Sequence, residues 1–242
     1  MSTKNKTFRL IIGYELAVSI SYGSVATLNM IAWTFFWEFS ASDISIILSI
    51  PSIIAIGLVM LSLGPLTRKF QKTRLLQISL VVIILDLLWL YPLKILDVLP
   101  DSGSADFWLN CLFFMIFMYS FLLRTICSHS IVADVSDEHE LEHGIRQEAG
   151  FFSVANLMYK AASVFGPVYS GVVLDVIGLT EGMLPGEVAQ SILNNLAYAM
   201  LLGAVPALFA ALFFVLKITM DRDMVESIQA SLGSRKASDN HE

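Results

Sequence analysis

Residues 44–64 read Ile44-Ser45-Ile46-Ile47-Leu48-Ser49-Ile50-Pro51-Ser52-Ile53-Ile54-Ala55-Ile56-Gly57-Leu58-Val59-Met60-Leu61-Ser62-Leu63-Gly64, a run without one ionisable side chain. An α-helix of about 20 residues, rising ~1.5 Å each, crosses a ~30 Å hydrocarbon layer. The run ends abruptly in Thr67-Arg68-Lys69-Phe70-Gln71-Lys72-Thr73-Arg74. An apolar run of spanning length closed by a basic turn reads as a membrane helix meeting a polar surface. The same pattern repeats outward in both directions. It predicts six spans, at 8–36, 44–64, 75–97, 107–131, 149–178 and 190–218, followed by a tail over 219–242 that reads as disordered. The expected fold class is an all-α membrane protein of six transmembrane helices.

Composition agrees. Of 242 residues, 56% are hydrophobic and 15% are charged, against roughly 25% charged in a soluble domain. No basic face interleaved with aromatics exists, which argues against nucleic-acid binding. Cys111 and Cys127 fall in one apolar run; as a helix it holds them roughly 24 Å apart, too far to bridge. Lys4, Lys6 and Arg9 ahead of Leu10-Ile11-Ile12 look like a signal-peptide start, but Glu15 interrupts the run and no small-residue cleavage site follows. The segment reads as the first span.

Orientation follows from Lys and Arg. They gather at the N-terminus, in the 67–74 turn and in the tail (Lys217, Arg222, Arg235, Lys236). The loops after spans 1, 3 and 5 carry Asp43, Asp101, Asp106, Glu181 and Glu187 without Lys or Arg. The positive-inside bias then places both termini in the cytoplasm. Lys94 alone is on the wrong side, where it is expected to snorkel to the interface.

An ionisable group inside the bilayer is costly and marks function or a partner. Glu15, Asp86 and Lys160 fall within spans 1, 3 and 5. A solute or ion role is one reading; a Lys160–Asp86 pair pinning two helices is the structural alternative. Arg124 reads as an interfacial anchor or the partner of a loop acid.

The 4–5 connection is the most informative stretch, running from Ala133-Asp134-Val135-Ser136-Asp137-Glu138-His139-Glu140-Leu141-Glu142-His143-Gly144 through Arg146-Gln147-Glu148 to Phe152-Ser153 and Lys160. It resembles the signature between helices 10 and 11 of the glycoside–pentoside–hexuronide:cation symporters, within the major facilitator superfamily. That pattern is A-D-x-x-D-x-x-E, a turn, R-x-E, an aromatic-Ser pair and a helix 11 lysine. Val173, Leu174, Ile177 and Gly178 resemble the end of helix 11. The chain departs at Glu138-His139-Glu140-Leu141-Glu142, where the family usually has Tyr-Gly-Glu-Trp/Tyr-Lys.

The resemblance implies one six-helix bundle, corresponding to the carboxyl-terminal half of a twelve-helix carrier. It implies a small-molecule substrate, a sugar or related solute, bound by Lys160 with Asn156, Tyr159 and Glu15. Asp134, Asp137, Glu140, Arg146 and Glu148 would form a gating charge network. The coupling cation, Na+ or H+, would bind in the complementary half; no other cofactor and no metal site are expected. The partners would be the lipid bilayer and either a complementary six-helix half or a second copy, in the plasma (inner) membrane. A non-transporting or truncated membrane partner is the alternative. His139-Glu140-Leu141-Glu142-His143 also fits the H-E-x-x-H pattern of zinc peptidases. Its interior Glu142, the acids before it and Gly144 after it argue against that helix.

Overall fold

The computed structural model describes residues 6–100, 103–144, 148–180, 182–220 and 222–239. Backbone N–H and C=O groups find no water in hydrocarbon, so a spanning chain must satisfy them internally, as a helix does. Every regular element among the described residues is helical: α1 (Lys6–Phe35), α2 (Ala41–Lys69), α3 (Lys72–Leu87), α4 (Leu90–Ile95), α5 (Gly103–His143), α6 (Glu148–Ser163), α7 (Phe165–Ile177), α8 (Gln190–Leu216) and α9 (Arg222–Asp239). Among the described residues, six segments are long and apolar enough to cross a membrane: α1, α2, α3 with α4, α5, α6 with α7, and α8.

Local chemistry explains where helices start and break. Ser40 caps α2: Asp43 N–H donates to Ser40 Oγ at 3.2 Å, and Asp43 Oδ2 accepts from Ser40 N–H at 3.1 Å. Spans 3 and 5 are each interrupted, at Leu88–Trp89 and at Val164. Each break lies at or beside the residue four before a proline, Leu88 before Pro92 and Ser163 before Pro167. Proline lacks the N–H that would bond that carbonyl, and its ring crowds it. Gly178 ends α7 at φ 81, the left-handed conformation glycine adopts without strain.

Span 1 (α1) packs chiefly on α8 and along α6 and α7, while span 4 (α5) packs chiefly on α3 and α2; α3 meets α8 between them. The first helix of each group of three thus lies against the last two of the other group. This exchange is the internal symmetry of a 3+3 inverted repeat. Leu28, Trp33, Leu80, Tyr91, Phe113 and Met200 fill the shared core. Along α2, Ile53, Met60 and Leu61 are exposed; in a bilayer they face acyl chains. At the α1–α7 crossing a Cβ on Gly166 would overlap the Gly23 backbone, so the two helices touch main chain to main chain.

Three expectations change. The acidic 4–5 connection is not a loop: α5 continues to His143, and its 41 residues extend roughly 60 Å, far beyond a hydrocarbon layer. The tail is not disordered over its described part: α9 packs on α5, with Ile228 and Leu232 buried. Lys94 does more than snorkel: it donates to Asp106 Oδ2 at 2.8 Å, with Trp37 beneath it at 5.5 Å.

Candidate functional site

A buried network links α1 to α5. Arg124, 3% exposed, donates from Nη1 to the Tyr14 hydroxyl at 3.1 Å. The same nitrogen lies 3.9 Å from Glu15 Oε2, and Ser128 Oγ donates to Glu15 Oε1. The guanidinium stands 4.5 Å from the Phe121 ring centroid, a cation–π distance. Arg124 Nε is buried with no hydrogen-bond partner. Burying two charges costs several kcal/mol unless their hydrogen bonds are well made. This pair has a separation beyond hydrogen bonding and leaves one donor idle.

The network borders a cavity of about 140 Å³, lined by Glu15 from α1, by Phe121, Arg124, Thr125 and His129 from α5, and by Ala155, Asn156 and Tyr159 from α6. Three residues expected at the substrate site, Glu15, Asn156 and Tyr159, therefore lie around one space. Lys160 does not line it; its side chain is exposed on α6. The Lys160–Asp86 pair does not form. Asp86 is buried on α3, accepts from Trp89 Nε1 at 2.9 Å and leaves Oδ2 without a hydrogen bond. Lys160 has no ion pair among the described residues.

Arg124 corrects the reading of an interfacial anchor. α5 runs past residue 131 to His143, Arg124 is buried within it, and its partners Tyr14 and Glu15 come from α1 rather than from a loop.

A second cavity of about 220 Å³ lies between α1, α2 and α5, with Tyr22, Asn29, Trp33, Leu48, Phe113 and Phe117 among its walls. Asn29 Oδ1 accepts from the Tyr91 hydroxyl at 2.5 Å, and Trp33 Nε1 donates to Asn110 Oδ1 at 2.9 Å. Tyr22 from this cavity stacks on Phe121 from the first, centroids 4.8 Å apart and planes 26° apart.

At the end bearing the α2–α3 turn, Lys72 donates to both oxygens of Asp134, at 2.9 and 2.7 Å. Arg222, opening α9, donates to Thr67 O at 2.5 Å among the last carbonyls of α2, a favourable place for a cation. These residues border a cavity of about 350 Å³. Of the expected gating residues, Asp134, Asp137 and Glu140 lie on α5 and Glu148 opens α6, while Arg146 lies outside the described residues. Lys72, which the acidic motif alone does not point to, is the cation on Asp134. The ring of His139, from the H-E-x-x-H stretch, is buried edge-on against Phe151 at 5.5 Å.

A family model described as MFS/sugar transport protein matches residues 2–221. No curated protein matches the chain.

Proposed function

The chain belongs to the MFS/sugar transport protein family, a multi-pass membrane family of the major facilitator superfamily, and from that membership we propose that it forms one six-helix wall of a cation-coupled carrier for sugars or related small solutes. A carrier of this superfamily works by rocking two such bundles around a midplane site. The second bundle would be another polypeptide segment or a second copy of this one. The Lys and Arg distribution supports both termini lying in the cytoplasm; residence in the plasma (inner) membrane is part of the proposal.

One observation carries the reading: Glu15, Arg124, Asn156 and Tyr159, from the first helix of each three-helix group and from α6, line one cavity within the spans. Of these, Glu15 and Arg124 are buried ionisable groups inside spans, a costly placement that marks a solute or ion path or a charge partner. The site would hold solute hydroxyls with Asn156, Tyr159 and Arg124, and Lys160 would reach it from the exposed edge of α6. Lys72–Asp134, with Asp137, Glu140, Arg146 and Glu148 nearby in sequence, would make and break as the bundles rock.

The test is uptake of radiolabelled sugars into proteoliposomes. The chain alone is expected to be inactive, and co-reconstitution with a complementary amino-terminal bundle is expected to give uptake that Arg124→Ala abolishes. Uptake by the complex that is indifferent to Arg124→Ala and Asn156→Ala would remove this cavity from the pathway.

A further inference from the structure

We infer that the solute is amphipathic: a sugar whose hydroxyls occupy the first cavity, bearing an apolar aryl or short alkyl group that occupies the second. This deepens the transport reading above and rests on it.

The second cavity is built for a group unlike a sugar. Its walls are apolar, with Trp33, Phe113, Phe114 and Phe117 beside Val25 and Leu48. The polar groups there are mostly spent. Trp33 gives its N–H to Asn110, and Asn29 Oδ1 accepts from Tyr91. A pyranose in this space would surrender the hydration of several hydroxyls for few partners. Each hydroxyl buried unpaired weakens binding by roughly tenfold. An apolar ring has no such loss, and its removal from water favours binding. Size agrees, since an apolar cavity of about 150 Å³ accepts benzene and this one measures about 220 Å³. The first cavity, at about 140 Å³, encloses little more than one six-membered ring, so any further group of the solute must extend beyond it.

The two spaces are joined by a file of rings. Phe113, Phe117 and Phe121 stand about one turn apart on α5, with successive centroids 6.5 and 6.3 Å apart and planes 19° and 17° apart. Phe121 borders the first cavity and the other two border the second. Tyr22 closes the file from α1, its ring on Phe121 at 4.8 Å. Its hydroxyl is near enough to Tyr159 and Arg124, on the first cavity's wall, to interact with them electrostatically. Helices α1 and α5 line both spaces. One molecule lying along them therefore meets hydroxyl-binding groups at one end and rings at the other.

Both cavities are walled by this chain, so binding is measured on the purified full chain in lipid nanodiscs by titration calorimetry. The probes are methyl and phenyl glycosides of glucose, galactose and xylose, with lactose as a solute whose second unit is hydroxylated. For at least one sugar the phenyl glycoside is expected to bind about tenfold tighter than the methyl glycoside, or more. Lactose should bind no better than methyl galactoside. Ala26, exposed on the second cavity's wall, offers a way to fill it without emptying the core. Ala26→Phe should bring the phenyl and methyl glycosides within about threefold of each other. Val176→Phe, on an 80% exposed position of α7, should leave their ratio intact, which separates binding at the site from partition into lipid. A lipid chain or a side chain of the complementary bundle filling the space would leave the two glycosides alike. Equal affinities, or a phenyl preference that survives Ala26→Phe, would overturn this inference and leave the carrier reading standing. Binding of none of the glycosides would overturn both.

Discussion

Lys94 on α4 and Asp106 on α5 meet at 2.8 Å at one end of the bundle, while Lys72 and Asp134 meet at 2.7 Å at the other, so spans 3 and 4 are tied at both ends. Both lysines belong to span 3 and both aspartates to span 4. The ties leave the helix faces between them free to carry apolar packing and the Arg124 network.

The two ties differ in weight. Lys94 and Asp106 are 26% and 12% exposed; Asp134 is only 6% exposed, but its partner Lys72, at 38%, is the most exposed of the four and the most screened. Double-mutant cycles on unfolding in mixed micelles are expected to give about 1 kcal/mol for Lys94–Asp106 and roughly half that for Lys72–Asp134. Equal or reversed coupling energies would contradict this ordering.

Arg124→Ala leaves Glu15 buried without its counter-charge and is expected to cost about 2–4 kcal/mol. Lys keeps the charge but loses the guanidinium placed over the Phe121 ring and the forked donors. Arg124→Lys should therefore regain part of the stability, measured by thermal unfolding, and little of the uptake. Full recovery of uptake by Lys would mean that charge alone matters there.

Lys160→Ala should separate function from folding. The side chain is exposed and unpaired among the described residues, so its unfolding midpoint should stay within about 0.5 kcal/mol of the parent. Uptake by the two-bundle complex should fall at least tenfold. Unchanged uptake at normal expression would take Lys160 out of the site.

Orientation is open to cysteine labelling, with Cys111 and Cys127 first replaced by Ser. A cysteine at Ser104 should react with an impermeant external reagent and one at Gln71 should not. The opposite pattern would invert the topology.

The spans were readable because an apolar run of membrane length has one solution, and residues 44–64 offer no other. The breaks were less so. Pro92 and Pro167 split their spans, yet Pro51, Pro65 and Pro206 sit inside unbroken α2 and α8, so a proline in the sequence does not by itself mark a break. The tail misled because α9 gains its order from Ile228 and Leu232 against α5, a contact no local pattern contains. Glu15, Asn156 and Tyr159 border one cavity, while Lys160, expected with them, does not line it. Arg124 reads from the sequence as an interfacial anchor or the partner of a loop acid, because its α1 partners, Tyr14 and Glu15, come from tertiary packing that no local pattern contains.

Substituting Gly166 by Ala is expected to cost about 1–3 kcal/mol, since the new methyl would meet the Gly23 backbone and not a movable side chain. Gly171→Ala, with nothing within 4 Å of its added carbon, is the control. Equal unfolding midpoints would show that the crossing relaxes freely.

That crossing also gives span 5 a fulcrum. α7 is held main chain to main chain against α1, and the helix is interrupted immediately beside the contact, so α6 is a lever arm hung from a fixed point. At ~1.5 Å per residue, a tilt of about 10° would swing the Glu148 end roughly 4 Å and Asn156 about half as far. The arm's long end carries the acid beside the 4–5 turn, and its short end carries Asn156 and Tyr159 in the cavity. A large stroke at the membrane surface would thus reach the solute as a small one, a gearing that spin-label distances from Glu148 and Asn156 to α1 would measure as unequal displacements.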